Sequence, residues 1–388
     1  MNANRLANCI ACAIALIAFV ATGEPVMLYL AVVVGCFVLL AGPVTRMVAS
    51  GADISYSVKP SCSVGQSLAL GIEVRRPPLL RGNIELTVVL SNVLMGTSQT
   101  VPVTIAPARG EVEHFSLPVD TSCVGRVGVE VREVQLVDIL GFSSTCLADA
   151  GYVSSFTVYP CARDIEVVTD RASRMTLSGL VFDRYRPGQD LSEVFDLRGF
   201  HDGDSLRAIH WKLSARADEL MVRIPSHPAD FDLAVLFGVH GGKTDPAELE
   251  RVNAAASLTA SLSGAFLRNG LGHTVVHRGS SGLVGEPVDT QTGFNAMLDT
   301  MLSTRLPVDP VTHARTFASF QAAHGISKLV LVTDSIVDSL FSELAALCDL
   351  TVLYVGEEGE FTVDESGGFV LMRISADAVN SKIKSLEL

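Results

Sequence analysis

The sequence predicts a multi-domain chain: an N-terminal transmembrane helical hairpin, then an all-β sandwich, then an α/β Rossmann-like domain. Three observations carry this prediction. Two uncharged apolar runs of membrane length open the chain. A region of period-two hydrophobicity, broken by Gly and Pro, follows them. The remainder alternates continuous apolar strands with segments of helical grammar.

A length of 388 residues leaves room for two or three domains. Mean hydropathy is positive, which points to membrane segments. The formal net charge of −13 argues against a nucleic-acid binder, which carries a basic face. Cysteines are scattered. Cys9 and Cys12 form a CxxC, but inside an apolar run without polar neighbours, where both read as small hydrophobes of a helix. No other cysteine spacing matches a zinc site.

Residues 1–48 read as a two-helix membrane anchor. Leu6–Thr22 and Val26–Val44 carry no charge, and "GEP" at Gly23–Pro25 turns the chain between them. Arg5 precedes the pair and Arg46 follows it, so the positive-inside rule places both ends in the cytoplasm. The expected localisation is the cell membrane, contacted through residues 6–44, with the remaining domains cytoplasmic. Residues 49–160 read as the sandwich. Segments such as "NIELTVVLS", "EVEHFSLPV" and "RVGVEVREVQLVD" alternate apolar and polar residues between turn signals. His114 in this region reads as an ordinary strand residue.

Residues 229–388 read as α/β. Phe231–Val239 is a continuous apolar strand suited to a buried parallel sheet. Pro246–Gly270 follows as a helix, with Pro at its start, acids in its first turn and Gly at its end. Ser327–Asp334 is a second buried strand. There is no GxGxxG after the first strand and no GxxxxGK[ST] anywhere, so no dinucleotide or ATP cofactor is expected.

Chemistry concentrates between these domains, in the linker 161–228. "RGFHDGDSLRAIHWKLSAR" (Arg198–Arg216) holds two histidines, two aspartates, four basic residues and the only tryptophan. Asp202–Asp204 reads as a tight turn, with Gly203 free to take positive φ. Asp204 would cap a short helix beginning near Ser205, with Leu206, Ile209 and Leu213 on one face. Asp204, His210 and Ser214 together suggest a hydrolase. However, side chains stacked on one short helix give poor base–nucleophile geometry, and no nucleophile elbow is present. The plainer reading is an interdomain clamp or docking surface. Arg–Asp pairs would fix orientation, and Trp211 would serve as an apolar anchor.

This stretch resembles the signature of the domain-of-unknown-function-58 family, "R-x-[FY]-x-x-GD-x-x-R-x-IHW-x-x-SAR". Arg198, Phe200, Gly203, Asp204, Arg207, Ile209, His210, Trp211, Ser214, Ala215 and Arg216 occupy the matching places. The resemblance implies that the C-terminal domain is of von Willebrand factor A type. It also implies a non-enzymatic adaptor, working with a MoxR-type AAA+ ATPase as its protein partner in assembly or cell-envelope processes. Such domains, when they bind Mg²⁺, carry D-x-S-x-S at the end of the first strand. Here that place reads Phe237–Gly238–Val239–His240–Gly241. Asp334 resembles the later acidic position of that site and is the one weak metal candidate. A metal-dependent adhesion module is thus an alternative that lacks most of its oxygen ligands.

Overall fold

A computed structural model describes residues 3–49, 51–75, 82–106, 112–138, 143–147, 151–168, 182–200, 209–217, 219–228, 232–241, 245–279, 282–308, 316–317, 319–321, 326–356, 361–381 and 385–387. The chain divides into two compact units, Met1–Tyr159 and Pro160–Leu388.

The first unit begins with two helices, α1 (Ala3–Thr22) and α2 (Pro25–Ala49). Small residues bring them together: Ala15 and Ala31 are buried, and the Cys12 thiol donates to the Ala31 carbonyl at 3.3 Å. Ile17 and Val20 remain exposed. The helical hairpin therefore forms, but the expected transmembrane hairpin is corrected. Among the described residues no helix is long and apolar enough to cross a membrane. Apolar composition alone does not distinguish a lipid-facing helix from one that packs on protein. Part of α2 does the latter: Thr45 and Ala49 are buried, and Ala49 belongs to the core of the β-strands that follow. Pro43 also lies inside α2, where it removes a helical hydrogen bond. The membrane localisation with cytoplasmic domains is corrected with it, because the positive-inside argument from Arg5 and Arg46 presupposed two spans.

Nine strands follow: β1 (Asp53–Ser57), β2 (Ser61–Ser63), β3 (Leu68–Arg75), β4 (Gly82–Asn92), β5 (Thr97–Ile105), β6 (Val112–Val119), β7 (Gly125–Asp138), β8 (Ser144–Cys146) and β9 (Tyr152–Tyr159). They form two sheets, β1-β3-β6 and β2-β9-β7-β4-β5, with β8 pairing β7. Alternation drives the packing, since successive side chains point to opposite faces. In β4, for example, Ile84, Leu86, Val88 and Leu90 are buried while Glu85 is exposed. One core holds Leu70, Ile72 and Val74 of the smaller sheet together with Ile84, Leu86, Val129, Val131 and Phe156 of the larger.

The second unit contains β10 (Glu166–Val168), β11 (Phe182–Gly199), α3 (Trp211–Ala217), β12 (Met221–Pro228), β13 (Asp232–Gly238), α4 (Pro246–Arg268), β14 (His273–Arg278), β15 (Leu283–Val288), α5 (Gln291–Leu302), β16 (Ile326–Thr333), α6 (Asp338–Ala345), β17 (Asp349–Gly356), β18 (Thr362–Ser366), β19 (Phe369–Ser375), α7 (Ala376–Ser381) and β20 (Ser385–Glu387). Its main sheet runs β15-β14-β13-β16-β17-β19-β18. The five inner strands are parallel, and the two edge strands are antiparallel. The inner strands are apolar without alternation, as a sheet covered on both faces requires: Leu233 through Phe237 are all buried. Helix α4 starts at an Asp245 cap with Pro246 in its first turn. It buries a run of small residues, Ala254 through Ser257, with Val252, Leu258 and Phe266.

The described residues of segment 161–228 contribute three strands and a short helix to this unit. β10 pairs with β20, and β11 forms an antiparallel ribbon with β12.

Candidate functional site

The signature stretch builds a small ribbon-and-helix unit. At its base, Arg198 and Gly199 of β11 pair with Val222 and Met221 of β12. The Phe200 N–H continues the ribbon by donating to the Leu220 carbonyl at 2.8 Å. Ile209 bridges Val222 across the ribbon, and the two form a buried pair with Phe200 packed against it. The expected start of a helix near Ser205 lies outside the described residues, which resume at Ile209. Ile209 is extended, and α3 starts at Trp211. β-branched Ile209 suits a strand better than a helix. His210 caps α3: its Nδ1 accepts from the Leu213 N–H at 3.2 Å, and its backbone N–H donates to the Met221 carbonyl at 2.8 Å. Gly203, Asp204 and Arg207 lie outside the described residues.

Ser214 ties helix to strand. Its buried hydroxyl donates to the His210 carbonyl at 3.1 Å and accepts from the Met221 N–H at 2.9 Å. With Nδ1 of His210 and the hydroxyl of Ser214 both in local hydrogen bonds, these two do not form a base–nucleophile pair. The inner face of α3 is thus fully engaged, whereas its outer face is open. Trp211 is 64% exposed, and Lys212, Ala215 and Arg216 are exposed beside it in sequence. Trp211, read as an apolar anchor of a clamp or docking surface, is thus exposed to solvent. His114 lies on β6, an exposed residue with Nδ1 3.8 Å from Glu73.

A second constellation sits where β13 and β16 end. β13 leads to β14 on one side of the sheet, and β16 lies on its other side, so the β13/β16 crevice is a topological switch point. Asp334 follows β16 and is buried. His240, just past β13, holds it through Nδ1 at 2.7 Å and through its backbone N–H at 3.3 Å, both to Oδ1. Oδ2 is buried without a partner. The hydrogen bond to Asp334 raises the pKa of His240 above the usual imidazole range against the opposing effect of burial, with smaller contributions from Glu248 and, in the other direction, Arg251. The shift favours the protonated, cationic imidazole beside the carboxylate that the metal reading assigned to Mg²⁺. The residues present do not fit that ion, which takes near-octahedral oxygen ligands. Among the described residues no group of three His, Cys, Asp or Glu side chains could hold a metal. Sequence reasoning missed His240 because its partner lies 94 residues away.

No curated protein matches the chain. Solved structures similar to parts of it include a β-glucosidase from Listeria innocua in complex with gluconolactone (15% identity, 28% of this chain, 16% of that one, TM-score 0.21). Others are an alkylpurine DNA glycosylase from Pseudomonas fluorescens bound to DNA (12%, 28%, 30%, 0.20) and a cohesin module from a Clostridium perfringens glycoside hydrolase (7%, 28%, 96%, 0.19). The matches span less than a third of the length of the first two, and likenesses of this size carry no argument. The family comparison is different in kind. Residues 196–347, from the signature through α6, match the family described as "Protein of unknown function DUF58".

Proposed function

We propose that the chain is a non-enzymatic protein–protein interaction module that docks a partner on the outer face of α3, in the manner of an adaptor. The observation that supports this is Trp211: a large indole 64% exposed on a helix whose inner face is fixed by Ser214 and His210. Tryptophan and arginine are the residue types enriched in binding hot spots, and Lys212 and Arg216 add positive charge suited to an acidic partner surface. The family resemblance names the partner class, a MoxR-type AAA+ ATPase.

An affinity pull-down of the full chain, run with and without ATP, tests the proposal. Wild type is expected to retain an AAA+ ATPase. Trp211→Ala is expected to lower retention by more than about tenfold, since hot-spot truncations cost about 2 kcal/mol or more. Its melting temperature should stay unchanged, because the side chain is exposed. Full retention by Trp211→Ala, or no ATPase with wild type, overturns the proposal.

A further inference from the structure

A cleft of about 730 Å³ opens at the carboxyl end of β14, walled by the end of β14, by β15, by the last turn of α5 and by the chain that follows it. Its size is that of small-molecule sites, and strand carboxyl ends are where α/β sheets place them. His277 lines it and is 1% exposed, yet its Nε2 has no hydrogen-bond partner. The other ring nitrogen, Nδ1, lies 2.9 Å from the Arg278 carbonyl. Only a protonated Nδ1 can bond a carbonyl, so in the neutral ring Nε2 presents a bare lone pair. Burial pushes the His277 pKa down and keeps the ring neutral, against smaller opposing effects of that hydrogen bond and of Glu286. A buried acceptor of this kind costs free energy until a donor reaches it.

Beside the apolar Val284, Leu306, Pro307 and Val308, the wall holds further polar groups. Arg278 and Arg305 both line the cleft, and neither forms an ion pair among the described residues. Thr300, Ser303 and Thr304 line it too. Their hydroxyls donate to the carbonyls of Ala296, Asp299 and Thr300, at 2.8, 2.6 and 3.0 Å. With those hydrogens committed, the oxygens can only accept. The cleft therefore offers two guanidiniums and a set of acceptors. One molecule satisfies both: an anion of two charges for the arginine pair, bearing hydroxyl groups that donate to Nε2 and the side-chain oxygens.

We infer that this cleft is a binding site for a small hydroxylated phosphate monoester, with Arg278 and Arg305 taking the phosphate and His277 accepting from a hydroxyl. The site is separate from the α3 face and does not depend on the docking proposal.

Isothermal titration calorimetry on the full chain, with glycerol 3-phosphate as probe and inorganic phosphate and glycerol as controls, tests it. Glycerol 3-phosphate should bind about tenfold or more tightly than inorganic phosphate, the margin of one well-made hydrogen bond or two. Arg278→Ala and Arg305→Ala should each weaken both anions about tenfold. His277→Phe should erase the advantage of glycerol 3-phosphate and leave phosphate binding intact. No saturable heat with glycerol 3-phosphate at millimolar concentration overturns the inference, and means that water alone meets Nε2. Full advantage retained by His277→Phe overturns it as well. Should that variant fail to fold, the arginine variants decide alone, because Arg278 is half-buried and Arg305 exposed. Unchanged affinity in both would sink the assignment.

Discussion

Replacing Ser214 by Ala isolates what the signature helix does for the fold. The hydroxyl makes two hydrogen bonds, to the His210 carbonyl and from the Met221 N–H, and the residue is buried. Each such bond contributes about 0.5–1.5 kcal/mol net, so the pair is worth about 1–3 kcal/mol, with the upper end reached if the Met221 N–H stays dry and unpaired. At a urea dependence of about 1–3 kcal/mol per molar, the unfolding midpoint falls by about 1 M. The chain supplies its own probe, since its only tryptophan, Trp211, is the first residue of α3. Tryptophan fluorescence in urea thus follows the second unit without interference from the first. Ser214→Thr keeps the hydroxyl and should recover most of the loss, at some cost for its added methyl. An Ala variant whose midpoint stays within about 0.1 M of wild type would refute the bridging role, since even a single lost bond should move it further. The pair of variants also separates stability from chemistry: a loss of function in Ala that tracks the lost midpoint, and returns with it in Thr, belongs to the fold.

Two further perturbations follow. His240 titrates with a raised pKa in the folded chain, so the stability it contributes is fully present below its unfolded value of 6.5 and is lost as pH rises through the folded value. His240→Gln should therefore lower the melting temperature most near pH 5.5–6 and least near pH 9; a penalty that does not shrink with rising pH would remove the ion pair as its source. Gly125 begins β7 with φ +128°, and a Cβ there would meet the Asn92 carboxamide oxygen at 2.7 Å and Leu94 Cβ at 2.8 Å. Gly125→Ala should destabilise the first unit by about 2–4 kcal/mol from strain and overpacking together, read by circular dichroism in urea, and a change below about 0.5 kcal/mol would show that the strand end yields freely.

The sequence is legible where one local rule decides. The apolar run Phe231–Val239 contains β13, and the segment from Pro246 to Gly270 contains α4 with its cap and its proline. It is misleading where two rules compete for the same residues. Helix periodicity puts Ile209 with Leu213 on one helix face, yet Ile209 is drawn into the ribbon by Val222, and α3 starts at Trp211 with His210 as its cap. The uncharged runs of α1 and α2 show a different failure. Hydropathy records that a helix is apolar and is silent on what covers it, and Ala49 is covered by the β core. The His240–Asp334 pair was out of reach for a third reason. In sequence Asp334 reads as an acid of a metal site and His240 only as a residue in its vacant D-x-S-x-S place; the parallel pairing of β13 with β16 brings their strand ends together as a hydrogen-bonded pair.

Where polar side chains stand in the fold separates structure from function more sharply than where they cluster in sequence. In the signature, the crowded histidine and serine are used up: His210 Nδ1 and the Ser214 hydroxyl have their partners, and these bonds build the helix that holds Trp211 outward. Unfilled capacity lies elsewhere. Three buried side-chain atoms among the described residues lack partners, the Tyr56 hydroxyl, Asp334 Oδ2 and His277 Nε2. Tyr56 stacks on Tyr152 inside the sandwich, where burial drives its pKa up to about 12 and keeps it neutral. Asp334 already has a hydrogen-bonding neighbour in His240, which engages its first oxygen if not its second. His277 alone of the three lines a described cleft that also holds two guanidiniums. A protein that leaves an acceptor dry costs itself stability. The arrangement makes sense if the missing donor arrives with a ligand, and this is why the α/β unit, and not the chemistry-rich signature, is where a small molecule should be sought.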